Sequence, residues 1–135
     1  LRRSDVPSRD ALQVSIDRLN FDLKLHPEFT PFEDSGFLPF SLSNEDGPGF
    51  EISYDEATEI FGEDEEFSTL ANGRDYCISM VWRGSMKDLA CVMIVSCALT
   101  KDFGAVVSYE GDAPDSLSEM IAATKQIIID AANEV

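Results

Sequence analysis

Between Leu25 and Gly73 the chain has no lysine and no arginine, although the same window holds thirteen aspartates and glutamates. The whole chain of 135 residues carries ten basic and twenty-six acidic side chains, a formal net charge of −16. The window therefore accounts for −13, and the remaining thirteen acids and ten bases nearly balance. A chain so poor in cations where its charge is concentrated is not suited to hold phosphates, which excludes direct binding to nucleic acid or to an anionic membrane surface.

Other scarcities narrow the chemistry. The one histidine, His26, sits in "LHPEF" with no nucleophile placed for it, so a serine or cysteine hydrolase lacks its base, and His26 reads as a strand-end surface residue. Cys77, Cys91 and Cys97 lie in apolar stretches without a CxxC pair, which predicts reduced, buried thiols and no zinc site. There is no GxGxxG, no P-loop and no GxSxG. The longest apolar run, Leu89 to Val95, is far too short for a membrane span, and "LRRSDVP" lacks the apolar core of a signal peptide. A cytoplasmic protein without a cofactor is the expectation.

Apolar residues are not scarce. At 44% hydrophobic, with nine phenylalanines, the chain is expected to fold as one domain over residues 1–135. Ser8 is a natural N-cap for a helix reaching about Asn20, with Leu12, Ile16 and Leu19 at helical spacing. A strand from Phe21 to His26 follows, closed by Pro27. "PEFTPFEDSG" reads as a loop, "GFLPFSL" as a strand that Pro39 demotes to an edge, and "SNEDGPG" as turn throughout. In "FEISYDE", Phe50, Ile52 and Tyr54 alternate with Glu51, Ser53 and Asp55, which puts acids on the solvent face of a sheet. "YDEATEIFGEDEEF" reads as a short helix and an acidic loop. "DYCISMVWRG" is apolar on both faces and is expected to be a central strand.

Ser85 and Asp88 form a capping signature before a helix running to about Asp102, and Gly104 is placed to end it. From Leu89 to Leu99 only Ser96 is polar, so this helix must be covered on nearly all sides, by sheet and helix or by a homodimer contact through residues 89–99. "AVVSYEG" predicts a further strand. A closing helix follows, with Ser116 and Glu119 as a capping box and a stripe of Leu117, Met120, Ile121, Thr124, Ile127, Ile128 and Ala131. The predicted class is α+β: a mostly antiparallel sheet of four to five strands, two long helices packed on one face, and an N-terminal helix. Trp82, Met80 and Met93 are assigned to the core.

The chemistry that remains is the acidic tract. Carboxylates are too abundant for any pair to single out a glycosidase-type site. Aligning Gly49 with the glycine of a calcium loop places Asn44 and Asp46 at ligand positions, but puts Pro48 at the third and Glu51 where an apolar residue is required. An irregular carboxylate site for a divalent ion is the only metal reading left. A solvated face that confers solubility explains the acids, yet evenly mixed charges would do so with less self-repulsion. Interleaved with aromatics, the tract also has the makings of an interface: apolar anchors within a charged rim. The candidate partner-binding residues are Glu45, Asp46, Glu51, Tyr54, Asp55, Glu56, Glu59, Phe61, Glu63, Asp64, Glu65 and Glu66.

The run "GFLPFSL…GPGFEISYDEA", then "VWRGSMKDLACVMIVSCALT", then "GAVVSYEGDAPDS", resembles a pattern in small bacterial α/β proteins, some of them immunity proteins that act as cytosolic antidotes to secreted antibacterial toxins. The resemblance spans about Gly36 to Ile128 and carries no catalytic residue. The "SNEDGPG" segment is longer and more acidic than the pattern, so the identity of the partner does not transfer. The resemblance implies a non-enzymatic protein that binds and neutralises a cognate toxin. A basic toxin, such as a nuclease with a cationic cleft, would suit the charge. The alternative is a housekeeping binding or scaffold domain with a merely solubilising face.

Overall fold

The structure is a computed structural model and describes residues 1, 7–25, 36–42, 45–56, 74–82, 85–107 and 116–133. Helix α1 spans Arg9–Arg18; the Ser8 hydroxyl accepts from the Ala11 N–H at 3.2 Å, an N-cap as expected. It stops two residues before Asn20, because Leu19 caps it and Asn20 takes a left-handed φ of 63° that breaks the helix. Strands β1 (Leu23–Leu25), β2 (Gly36–Leu42), β3 (Glu45–Glu56) and β4 (Tyr76–Val81) pair in that order, each antiparallel to the next. Helices α2 (Met86–Phe103) and α3 (Leu117–Ala132) complete the described elements.

Leu23, Leu25, Phe40, Leu42, Phe50 and Ile52 are buried on one face of the strands, and Phe40 stacks on Phe50 with ring centroids 5.0 Å apart. Helix α2 packs against this face through β3 and β2, and also meets α1 and α3. Ala90, Cys91, Ile94, Cys97 and Ala98 are wholly buried, so the apolar surface of α2 is covered by its own chain.

This arrangement corrects the predicted architecture. Among the described residues there are three helices and four strands, and the two long helices do not lie together on the strands. Only α2 does; the chief neighbour of α3 is α2. The reason lies in α2 itself. A helix apolar all round needs cover on its far side, and the α3 stripe supplies it, burying Met120, Thr124 and Ala131. Cys97 Sγ and Thr124 Oγ1 meet at 3.4 Å in that contact. The expected strand in "AVVSYEG" does not form over Ala105–Val107. There the chain leaves α2 through Gly104 at φ 69°, and the Ala105 N–H bonds back to the Leu99 carbonyl at 3.1 Å. Residues 108–111 lie outside the described residues.

Four local expectations also change. Strand β3 begins at Glu45, so most of "SNEDGPG" is strand and not turn. Between Pro39↔Gly49 and Ser41↔Asp46 the register takes two steps on β2 and three on β3, and the turn-forming residues are absorbed as a bulge. Pro39 does not make β2 an edge, since β2 lies between β1 and β3. It is tolerated because three-residue β1 opposes only Phe40–Leu42. β4 is not central but last in the order. Its two-sided apolar pattern reflects partial cover of both faces, with Tyr76 buried and Cys77 to Met80 half-buried. Asp88 does not complete a capping box with Ser85. The Ser85 hydroxyl accepts from the Lys87 N–H, while the Asp88 carboxylate turns to the Gly49 N–H at 2.9 Å and ties α2 to the start of β3. The Ser116–Glu119 capping box is present as expected.

Candidate functional site

Strand β3 is the scaffold of the acidic face. Its paired length brings Glu45, Asp46, Glu51, Tyr54, Asp55 and Glu56 onto one element. Alternation then sorts them. Phe50 and Ile52 are buried toward α2, so Glu51, Ser53 and Asp55 point away from it, Glu51 and Ser53 exposed and Asp55 half-buried. Their direct neighbours on β4 are Val81, Ser79 and Cys77. Glu51 and Asp55, four residues apart, sit about 13 Å from each other along the strand.

Tyr54 and Glu56 fall on the opposite face, both half-buried. This overturns, for Asp55 and Glu56, the reading of "YDEATEIFGEDEEF" as the start of a short helix. The Asp55↔Cys77 and Glu56↔Tyr76 pairs hold both residues in the strand, where consecutive side chains diverge. Cross-strand pairing with β4, remote in sequence, has outweighed a helical pattern. Glu59, Phe61, Glu63, Asp64, Glu65 and Glu66 lie outside the described residues, as does His26. Glu45 and Asp46 are placed here by backbone alone, opposite Leu42 and Ser41.

At the far end of the sheet, Lys24 Nζ lies 3.4 Å from Asp17 Oδ1, an exposed pair of little energetic weight. Among the described residues no three His, Cys, Asp or Glu side chains come together as a metal-binding group. No described helix is long and apolar enough to cross a membrane. The cysteines are free thiols. Burial, together with the nearby Asp88 carboxylate, pushes Cys91 from its ordinary 9.0 to about 12. Burial also raises Cys97, against a smaller opposing effect of its contact with Thr124. A thiol held protonated is a poor nucleophile, so both are packing residues. Trp82, Met80 and Met93 are half-buried, Trp82 and Met80 packing on the edge of the core.

Two features escaped the sequence reading. One is an open groove of about 420 Å³ between α1 and the end of α2, where the Ser15 hydroxyl donates to the Asp102 carboxylate beside Val14, Arg18 and Phe103. That hydrogen bond joins the two helices. The other is the outer edge of β4, where Leu1 pairs with Tyr76; no spacing rule connects residues seventy-five positions apart. No protein-family model, curated protein or solved structure matches this chain.

Proposed function

We propose that this chain is a non-enzymatic, cytoplasmic binding protein of the immunity type, which neutralises a basic cognate toxin by docking it on an acidic surface. One observation carries the reading: β3 gathers Glu45, Asp46, Glu51, Asp55 and Glu56 on one strand, within a window of thirteen acids that no lysine or arginine offsets. Glu51 and Asp55 then stand on the sheet face turned from α2, where a partner's cations would be steered in and held. Phe61 is proposed as an apolar anchor, and Glu59 with Glu63, Asp64, Glu65 and Glu66 as an extension of the rim; Tyr54, expected as a second anchor, packs against the core on the opposite face and is left out.

Charge reversal tests the proposal. The Glu51→Lys/Asp55→Lys variant keeps the Phe50 and Ile52 face untouched and is expected to fold. It should lose a basic partner captured from the native lysate at both about 50 and 200 mM salt. Retention of that partner at wild-type level would refute the docking surface. A smear of basic proteins that washes away at the higher salt would leave only the solubilising role.

A further inference from the structure

Strand β3 carries one residue more than β2 between Pro39↔Gly49 and Ser41↔Asp46. An extra residue in one strand of an antiparallel pair turns everything beyond it to the other face. Burial fixes the faces of β2: Phe40 and Leu42 lie in the core with Phe50, so Ser41 between them belongs to the face turned from α2. Asp46, opposite Ser41, therefore holds a register position on the same face as Glu51 and Asp55. Glu45, opposite Leu42, falls on the α2 face. Strict alternation counted back from Glu51 would exchange the two. Ser41 lies four residues from Phe37, the partner of Glu51, and Glu51 lies four from Asp55, so the three acids recur about every 13 Å along one face. The bulge is held from outside the sheet. The β4 ladder ends at Glu51↔Val81, short of Gly49. Beyond that end, the Gly49 N–H donates to the Asp88 carboxylate of α2 at 2.9 Å. Gly49 is buried, so loss of that acceptor would leave its N–H unpaired.

We infer that Asp88 is a positioning residue for the acidic face: by holding Gly49 it fixes the bulge that puts Asp46 in one row with Glu51 and Asp55. The inference rests on the reading of that face as a dock and specifies which acids meet the partner. Glu45 stands outside the row. Asp88 acts through its acceptor oxygen and not through its charge, since it lies in the first turn of α2, on the other side of the sheet. The partner surface that fits is a basic segment extended over about 26 Å, meeting a carboxylate roughly every 13 Å. A compact cluster of cations would meet only one of the three.

The test uses the full chain and a fluorescent nonalysine peptide, about 30 Å long when extended, read by fluorescence anisotropy at about 50 mM salt. Asp46→Asn should weaken binding about two- to five-fold, the span expected for one exposed ion pair, and Glu45→Gln less than half as much. In an Asp88→Ala background the loss caused by Asp46→Asn should shrink below about 1.5-fold, since the two residues act as a unit. Asp88→Asn, which keeps an acceptor oxygen for the Gly49 N–H, should restore it. A merely structural Asp88 would lower the urea midpoint on Asp88→Ala and leave the Asp46→Asn loss unchanged, and that result would overturn the positioning role. Equal losses for Asp46→Asn and Glu45→Gln, or a larger one for Glu45→Gln, would overturn the row itself while leaving the acidic dock in place. A wild type that does not bind nonalysine would overturn both. The comparison of Asp46 with Glu45 decides the row even if Asp88→Ala fails to fold.

Discussion

Two serine-to-alanine substitutions in the core should move stability in opposite directions. Ser96 in α2 is 1% exposed, and its hydroxyl has no hydrogen-bond partner among the described residues. A buried hydroxyl left unpaired costs about 1–3 kcal/mol. Alanine also favours the helix by roughly 0.5 kcal/mol over serine. The void left by one oxygen takes back a few tenths of a kcal/mol. Ser96→Ala should therefore stabilise by about 1–3 kcal/mol, a rise in Tm of roughly 3–12 °C for a domain of this size. Ser15 in α1 is 2% exposed, but its hydroxyl donates to the Asp102 carboxylate and lies 3.4 Å from the Ala98 carbonyl. Ser15→Ala breaks the link between α1 and the end of α2. With the Asp102 side chain 31% exposed, water compensates part of the loss, leaving a destabilisation of about 1 kcal/mol. Urea unfolding followed by circular dichroism reads both as shifts of midpoint at constant slope. If Ser96→Ala lowered the midpoint by as much as Ser15→Ala, Ser96 would have to be bonded, for instance back to the Val92 carbonyl. The reasoning from unpaired burial would then fail.

Other perturbations probe the remaining layers. Ile94→Ala empties a fully buried site in α2 and should cost about 2–5 kcal/mol in the same urea assay; a cost below about 1 kcal/mol would mean the helix is not enclosed. Gly104→Ala forces a side chain onto the left-handed residue that ends α2 and should cost about 1 kcal/mol in the urea assay, and Gly36→Ala, also at a positive φ, should destabilise in the same direction; an unchanged midpoint for Gly104→Ala would refute the left-handed cap. Stability should fall as pH rises from about 9 toward 12. The unfolded Cys91 thiol releases its proton above 9.0 while the folded one keeps it, a slope of about 1.4 kcal/mol per pH unit. Below pH 9 this contribution is fully present. Subtracting the Cys91→Ala profile from the wild-type profile isolates it, and parallel profiles would refute the burial of that thiol.

What was legible in the sequence was local. The caps at Ser8 and Ser116, the helix end at Gly104, and the alternation of Phe50 and Ile52 with Glu51 and Ser53 each rest on interactions within a few residues, or on the period of one element. The concentration of acid between Leu25 and Gly73 was likewise complete in the amino-acid order. Asp55 and Glu56 were legible as acids but not as strand residues, because a helical pattern and a strand pattern compete there and only β4, twenty residues on, decides between them.

The amino-acid order by itself therefore determined which segments could be helix or strand, which of their faces had to be covered, and the sign of the charge any partner would meet. Tertiary structure decided the rest. It placed α3 on α2 and not on the strands, absorbed Gly47 and Pro48 into a bulged β3, turned Asp88 from its own helix to Gly49, and put β4 at the edge. The physical reason is common to all four. A periodic pattern states that a face must be buried, but the identity of what buries it depends on contacts between residues far apart in the chain, and local spacing holds no record of those.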